Sequence, residues 1–143
     1  MTTFNTSREI AAPVEEVFAA ISDPVRLARW WGPAGFTNRF DICEFTTGGR
    51  WSFVMIGPDG HEYPNESVFA EIDAPRKVVI QHVCEPRFQL TVTLHHSPTG
   101  TLVSWAQAFD DPQMASRIAP IVVPSNEQNL DRLSAEVLSP PRA

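Results

Sequence analysis

The chain is poor in the residues that staple, metallate or charge a small protein. Cysteine occurs only twice among 143 residues, at Cys43 and Cys84, with no C-x-x-C spacing. A disulfide framework or zinc ribbon is therefore not expected, and free thiols are the default, with a bridge between neighbouring strands as the alternative. No window approaches the length of a membrane span, and the opening "MTTFNTSREIAAP" carries no apolar run of signal-peptide length. These features lead to the expectation of a cytoplasmic protein. Positive charge is the minority: 11 Lys and Arg stand against 17 Asp and Glu, for a net charge of -6. An acidic surface repels phosphate backbones and anionic lipid, which argues against nucleic acid and membranes as partners. No glycine-rich phosphate loop is present, because Gly48-Gly49 and Gly57-x-x-Gly60 fall in hairpin settings. There is no H-E-x-x-H, and no serine, histidine and carboxylate are spaced so as to mark a triad. No cofactor, no metal and no catalytic residue are expected.

What is present is a core. Apolar residues make up 43% and charged residues 20% of the chain, the balance of a globular protein. At this length folding buries roughly two-thirds of the unfolded surface, enough for one domain over residues 1–143 without a staple. Thirteen prolines segment the sequence. "FNTSREIAA" reads as a strand. "PVEEVFAAIS" reads as a short helix, with Val14, Val17, Phe18 and Ile21 on one apolar face. "SDP" breaks it and starts a second short helix, "PVRLARWW", with Asp23 as cap and Pro24 in the first turn. From Phe36 the period becomes two. "FTNRFDICEF", "GGRWSFVMI", "YPNESVFAEIDA", "KVVIQHV", "FQLTVTLHH" and "TLVSWAQAF" read as strands joined by tight turns, the pattern of a meandering antiparallel sheet. "DDPQMASRIA" starts as a helix or turn at Asp111 and Pro112, "PIVVP" is expected to interrupt it, and "SNEQNLDRLSAEVL" reads as a new helix. Its capping box is Ser125 with Gln128, and its stripe is Leu130, Leu133 and Val137. "SPPRA" reads as a tail. The order is α+β: a curved antiparallel sheet of about six to seven strands, two short helices after the first strand, and a C-terminal helix. A curved sheet covered by one helix leaves a gap that large side chains or a ligand must fill.

The segments "PVEEVFAAISDPVRLARWWGP", "GGRWSFVMIGPDGHEYPNE", "VFAEIDAPRKVVIQH" and "NEQNLDRLSAEVL" together resemble the family of the activator of Hsp90 ATPase homologue 1. That family lies within the START-like (SRPBCC) superfamily, whose helix-grip fold is Bet v 1-like. The resemblance runs over nearly the whole chain. It implies a pocket between the sheet and the C-terminal helix. It leaves several roles open, because members include cochaperone domains, polyketide cyclases and aromatases, and resistance proteins. At 143 residues, the separate chaperone-binding domain of the eukaryotic activator is not expected here. Pro120 and Pro124 should also shorten the C-terminal helix, which would widen one mouth or turn "IAPIVVPS" into a lid.

The strongest functional signal is aromatic. Trp51, Phe53, Met55 and Trp105 share strand parity and should face the concave side. Burying one tryptophan removes about 200 Å² from water, an upper bound of roughly 5 kcal/mol. Such residues can form plain core or wall a pocket for a flat, apolar ligand. His82 has the parity of Val78 and Ile80 and can face inward, where a near-neutral pKa would let it orient a ligand or move protons. Gln107 has the parity of Trp105 and Phe109, which places an amide in an apolar wall where it needs a partner. Trp30 and Trp31 are adjacent on a helix and so diverge by about 100°. One should anchor the helices to the sheet and the other edge the cavity. Sequence leaves open which does which, and we carry Trp31 forward as the candidate. The expected ligand contacts are thus Trp31, Trp51, Phe53, Met55, His82, Trp105, Gln107, Leu130 and Leu133. His61, His95, His96, Glu66, Glu71, Arg50 and Arg76 read as ordinary surface residues. The leading expectation is a protein that holds a hydrophobic small molecule, aromatic or polyketide- or lipid-like, without turning it over; a homodimer is compatible with it. A cyclase- or aromatase-like enzyme using His82 and a stress-related cochaperone adaptor are the alternatives.

Overall fold

Why the chain makes a seven-stranded sheet is visible in the burial along its strands. The computed structural model describes residues 2–139, so most of the "SPPRA" segment lies outside it. The strands are β1 (Thr2–Ile10), β2 (Thr37–Cys43), β3 (Arg50–Ile56), β4 (Glu62–Asp73), β5 (Lys77–His82), β6 (Phe88–Ser97) and β7 (Gly100–Phe109). In β6, Leu90, Val92 and Leu94 are buried while the intervening threonines are not, so period two selects one inner face. The spatial order is β1-β7-β6-β5-β4-β3-β2, every neighbour antiparallel. Register shifts between Phe40 and Ile42 and between Phe69 and Glu71 are bulges that bend the sheet.

Helices α1 (Val14–Ser22) and α2 (Pro24–Trp30) connect β1 to β2. Asp23 caps α2 by accepting from the Val25 amide at 3.0 Å, and Pro24 occupies the first turn. Val14, Val17 and Ile21 of α1 and Leu27 of α2 are buried. Both cysteines are free. Burial pushes the Cys43 thiol up to about 11.

The C-terminal helix departs from expectation. It is a single helix, α3, from Pro112 to Leu138, and it runs through Pro120 and Pro124. "PIVVP" therefore does not interrupt it, and Ser125 and Gln128 are interior residues, not a capping box. The cap is Asp111, which accepts from the Gln113 amide at 2.9 Å. Each proline deletes one amide and so frees the carbonyl four residues earlier. Those carbonyls belong to Ser116 and Pro120, both exposed, where water can bond them.

The two halves of α3 have unequal support. Residues 112–124 bury only Ala115, whereas Asn126, Asn129, Leu130, Leu133 and Val137 are buried in the rest. Arg8 on β1 holds this second half through Asp131 at 2.5 Å and Glu127 at 3.2 Å. Arg26 and Arg29 of α2 converge on Glu136 at 3.1 and 3.2 Å.

Candidate functional site

The Trp-Trp-Gly-Pro turn divides its two indoles between two tasks. Trp30 ends α2 and is 2% exposed. Its Nε1 donates to the Ala20 carbonyl at 2.9 Å and ties α2 to α1. Trp31 follows in extended backbone and turns toward the sheet, its ring 4.9 Å from Trp51 and 5.9 Å from Trp105. The chain then leaves through Gly32, whose φ of +99° favours glycine, and where a Cβ would come 2.8 Å from Met55 Cε.

Helix α3 grips this exit loop. Asn129 Oδ1 accepts from the Gly32 amide at 2.8 Å, and Gln128 Oε1 from the Ala34 amide at 3.0 Å. The Arg132 guanidinium donates to the carbonyls of Arg29, Trp31, Gly32, Pro33 and Phe36 at 2.8–3.2 Å. A planar fork with five N–H donors is the side chain suited to that many acceptors.

Beside the loop lies a cavity of about 780 Å³ between the sheet and the middle of α3. Five of the nine expected residues line it: Trp31, Phe53, Met55, His82 and Gln107. The other four do not. Trp51 is fully buried, stacked between Phe53 at 4.3 Å and Phe69 at 5.3 Å. Trp105 packs under Trp30 and Trp31, and Leu130 and Leu133 are fully buried in the core. Periodicity turned all four inward, by strand parity for Trp51 and Trp105 and by helical spacing for Leu130 and Leu133. It could not show that α1, α2 and the end of α3 close one part of the concave face and leave another open.

Part of the wall was absent from the expected contacts, although Ile121, Val122 and Ser125 fall in the "IAPIVVPS" segment expected as a possible lid. Ile121, Val122, Ser125 and Asn126 of α3 line the cavity, as do Asn65 and Ser67 of β4. Ser67 lies opposite His82 across the β4–β5 pair, so the parity that turns His82 inward could have found it. Of the four α3 residues, Asn126 alone lies outside the segment that the expected helix break made a lid.

His82 is buried at 5% exposure and stacks on Phe88 with ring centroids 4.5 Å apart. Its Nδ1 meets the Pro86 carbonyl at 2.7 Å and its Nε2 meets Asn65 Oδ1 at 2.8 Å. Asn65 is oriented by its own Nδ2, which donates to the Tyr63 carbonyl at 2.8 Å. Burial pulls the His82 pKa below its ordinary value, and the Pro86 carbonyl opposes that pull. Both ring nitrogens face protein oxygens, so neither is turned toward a molecule in the cavity. A second polar group is in the opposite condition: Gln107 Oε1 is buried with no hydrogen-bond partner among the described residues. Among the described residues no group of three or more His, Cys, Asp or Glu could hold a metal ion, and no helix is long and apolar enough to cross a membrane.

A bent antiparallel sheet, a long helix across its concave face and a cavity between them define an α+β helix-grip protein. The chain belongs to the activator of Hsp90 ATPase homolog 1-like family, whose model matches residues 11–137. Similar solved structures include a protein from Arthrobacter aurescens, 26% identical over 98% of this chain and 88% of that one, with a TM-score of 0.87. A protein from Nitrosomonas europaea is 17% identical over 94% and 93% of the two chains, with a TM-score of 0.85. An AHSA1-like protein from Aeromonas hydrophila is 22% identical over 95% and 92%, with a TM-score of 0.73. The last two likenesses speak for the fold alone. No curated protein matches the chain significantly.

Proposed function

We propose that the protein binds a hydrophobic small molecule in the cavity between the sheet and α3. The observation that carries this reading is the cavity itself: about 780 Å³, within the usual range of ligand sites. It is walled by Trp31, Phe53, Met55 and Phe88, with amide and hydroxyl side chains set among them. A solid core would have no such space, since interiors pack nearly as tightly as organic crystals. Proton-transfer chemistry gains no support from His82, whose nitrogens are both occupied.

The test uses N-phenyl-1-naphthylamine, an uncharged fluorophore that brightens in apolar surroundings. Saturable one-to-one binding is expected, with energy transfer from Trp31 and a rise in melting temperature that grows with probe concentration. Val122→Trp, which fills the cavity from α3, should abolish both. Absence of saturable binding to the wild type, or unchanged binding by the filled variant, overturns the reading.

A further inference from the structure

We propose that the ligand is uncharged where it is buried and presents a hydrogen-bond donor, such as a hydroxyl or an N–H, to Gln107; carboxylate-bearing lipids are excluded. The inference rests on the cavity being a ligand site and adds the chemistry of what enters.

Charge is the first argument. The polar side chains on the inner wall are amides and hydroxyls: Asn65, Ser67, Gln107, Ser125, Asn126 and Asn129. No lysine or arginine lines the cavity among the described residues. The nearby guanidinium, Arg132, is already committed to the carbonyls of the exit loop. Carboxylates do line it, at Glu62 and Glu85, each in an exposed ion pair, with Arg39 at 3.8 Å and Arg87 at 3.6 Å, and the whole chain carries a net charge of -6. His82 does not supply the missing cation to a ligand, because both of its ring nitrogens face protein oxygens, the Pro86 carbonyl and Asn65 Oδ1. An anion entering would shed its water and find no counter-charge, a cost of several kcal/mol.

The unmatched acceptor is the second argument. Gln107 Oε1 is buried and no protein donor reaches it. Buried acceptors without partners are rare and costly. Here the side chain stands on the wall of the cavity; its oxygen is turned away from the open space, so a donor from outside meets it once the amide turns about its last, soft torsion. A ligand carboxylate would bring only further acceptors to that oxygen, whereas an alcohol, amine or amide completes it.

The experiment compares three probes of nearly the same frame. N-phenyl-1-naphthylamine is neutral and carries an N–H. 8-Anilinonaphthalene-1-sulfonate adds a fixed negative charge. 1-Benzylnaphthalene replaces the N–H by CH₂. The sulfonate should bind at least about a hundredfold more weakly than the neutral amine at neutral pH. The Glu62→Gln/Glu85→Gln variant should narrow that gap. The CH₂ compound should bind about threefold to tenfold more weakly than the amine to the wild type. It should bind equally well to Gln107→Met. If the sulfonate competes for the cavity as tightly as the amine, the charge argument is overturned while the binding site stands. If the N–H and CH₂ compounds bind alike to the wild type, or differ equally in Gln107→Met, the donor assignment is overturned. If no member of the set binds, the cavity reading falls and takes this inference with it.

Discussion

Gln107 stands on β7 among buried aromatics, two residues from Trp105 and two from Phe109, with an amide oxygen that meets no protein donor. Folding strips that oxygen of water and returns nothing to it. The empty protein therefore carries a penalty of about 1–3 kcal/mol at this side chain. Gln107→Met keeps an unbranched chain of similar volume and removes the unpaired acceptor. Near-isosteric exchange of this sort costs little in packing. The empty variant should then be more stable than the wild type by about 1–2 kcal/mol. For a chain of this length that corresponds to a rise in melting temperature of about 3–6 °C. Calorimetry gives the temperature, and urea titration gives the free energy, with the m value serving as a control on the unfolded state. With N-phenyl-1-naphthylamine present, the wild type should recover part of the difference, because its oxygen gains a partner and the methionine variant has none to gain. A melting temperature equal to or below that of the wild type, at unchanged m, would refute the reasoning: the oxygen would then be satisfied in the empty protein by solvent within the cavity.

Trp30→Phe should cost roughly 2–4 kcal/mol, from lost ring volume and an unpaired Ala20 carbonyl, yet leave probe affinity unchanged; urea titration and fluorescence read the two separately. Arg132→Met removes five carbonyl contacts and should destabilise by roughly 2–4 kcal/mol. Arg132→Lys should restore only part of that, since an ammonium has three donors in a different geometry. Burial holds the His82 pKa below its ordinary value of 6.5, so the unfolded chain takes up this proton first as pH falls. That contribution to stability is full above about 6.5, declines as pH falls below it, and should vanish in His82→Gln when stability is followed by urea titration across that window. Pro120→Ala restores an amide to the exposed half of α3 and relieves a helix-interior proline penalty of about 3 kcal/mol, less a small gain in unfolded-chain freedom. Hydrogen exchange across residues 112–124 should slow, and so should probe release.

Period and turn chemistry made the sheet legible, because each strand alternates and each break carries proline, glycine or a capping aspartate. Asp23-Pro24 and Asp111-Pro112 start helices where their chemistry says they should. Pro120 and Pro124 mislead because a proline's cost depends on which carbonyl it orphans. Sequence does not show that Ser116 and Pro120 lie on the exposed side of the helix. The same limit divides the candidate ligand contacts. Strand parity states that Trp51 and Phe53 share a face, but not that Trp31 descends onto Trp51 and leaves Phe53 at the cavity. That difference depends on the exit angle at Gly32 and on the grip of Asn129 and Arg132, contacts separated by about a hundred residues in the chain.

The division of α3 explains how the fold can hold an empty space without falling apart. Leu130, Leu133 and Val137 belong to the same cluster as Trp30, Trp51 and Trp105, and this sealed end carries the hydrophobic gain that stabilises the chain. The first half of the helix buries little and spends its apolar Ile121 and Val122 on the cavity wall, with Ile121 still 69% exposed. Opening that half for a ligand disturbs few core contacts, and local openings of low free energy are where binding elements are drawn from. The two prolines weaken the backbone in that same half, so in the proposed binder stability and access fall to opposite ends of one helix and need not be traded against each other.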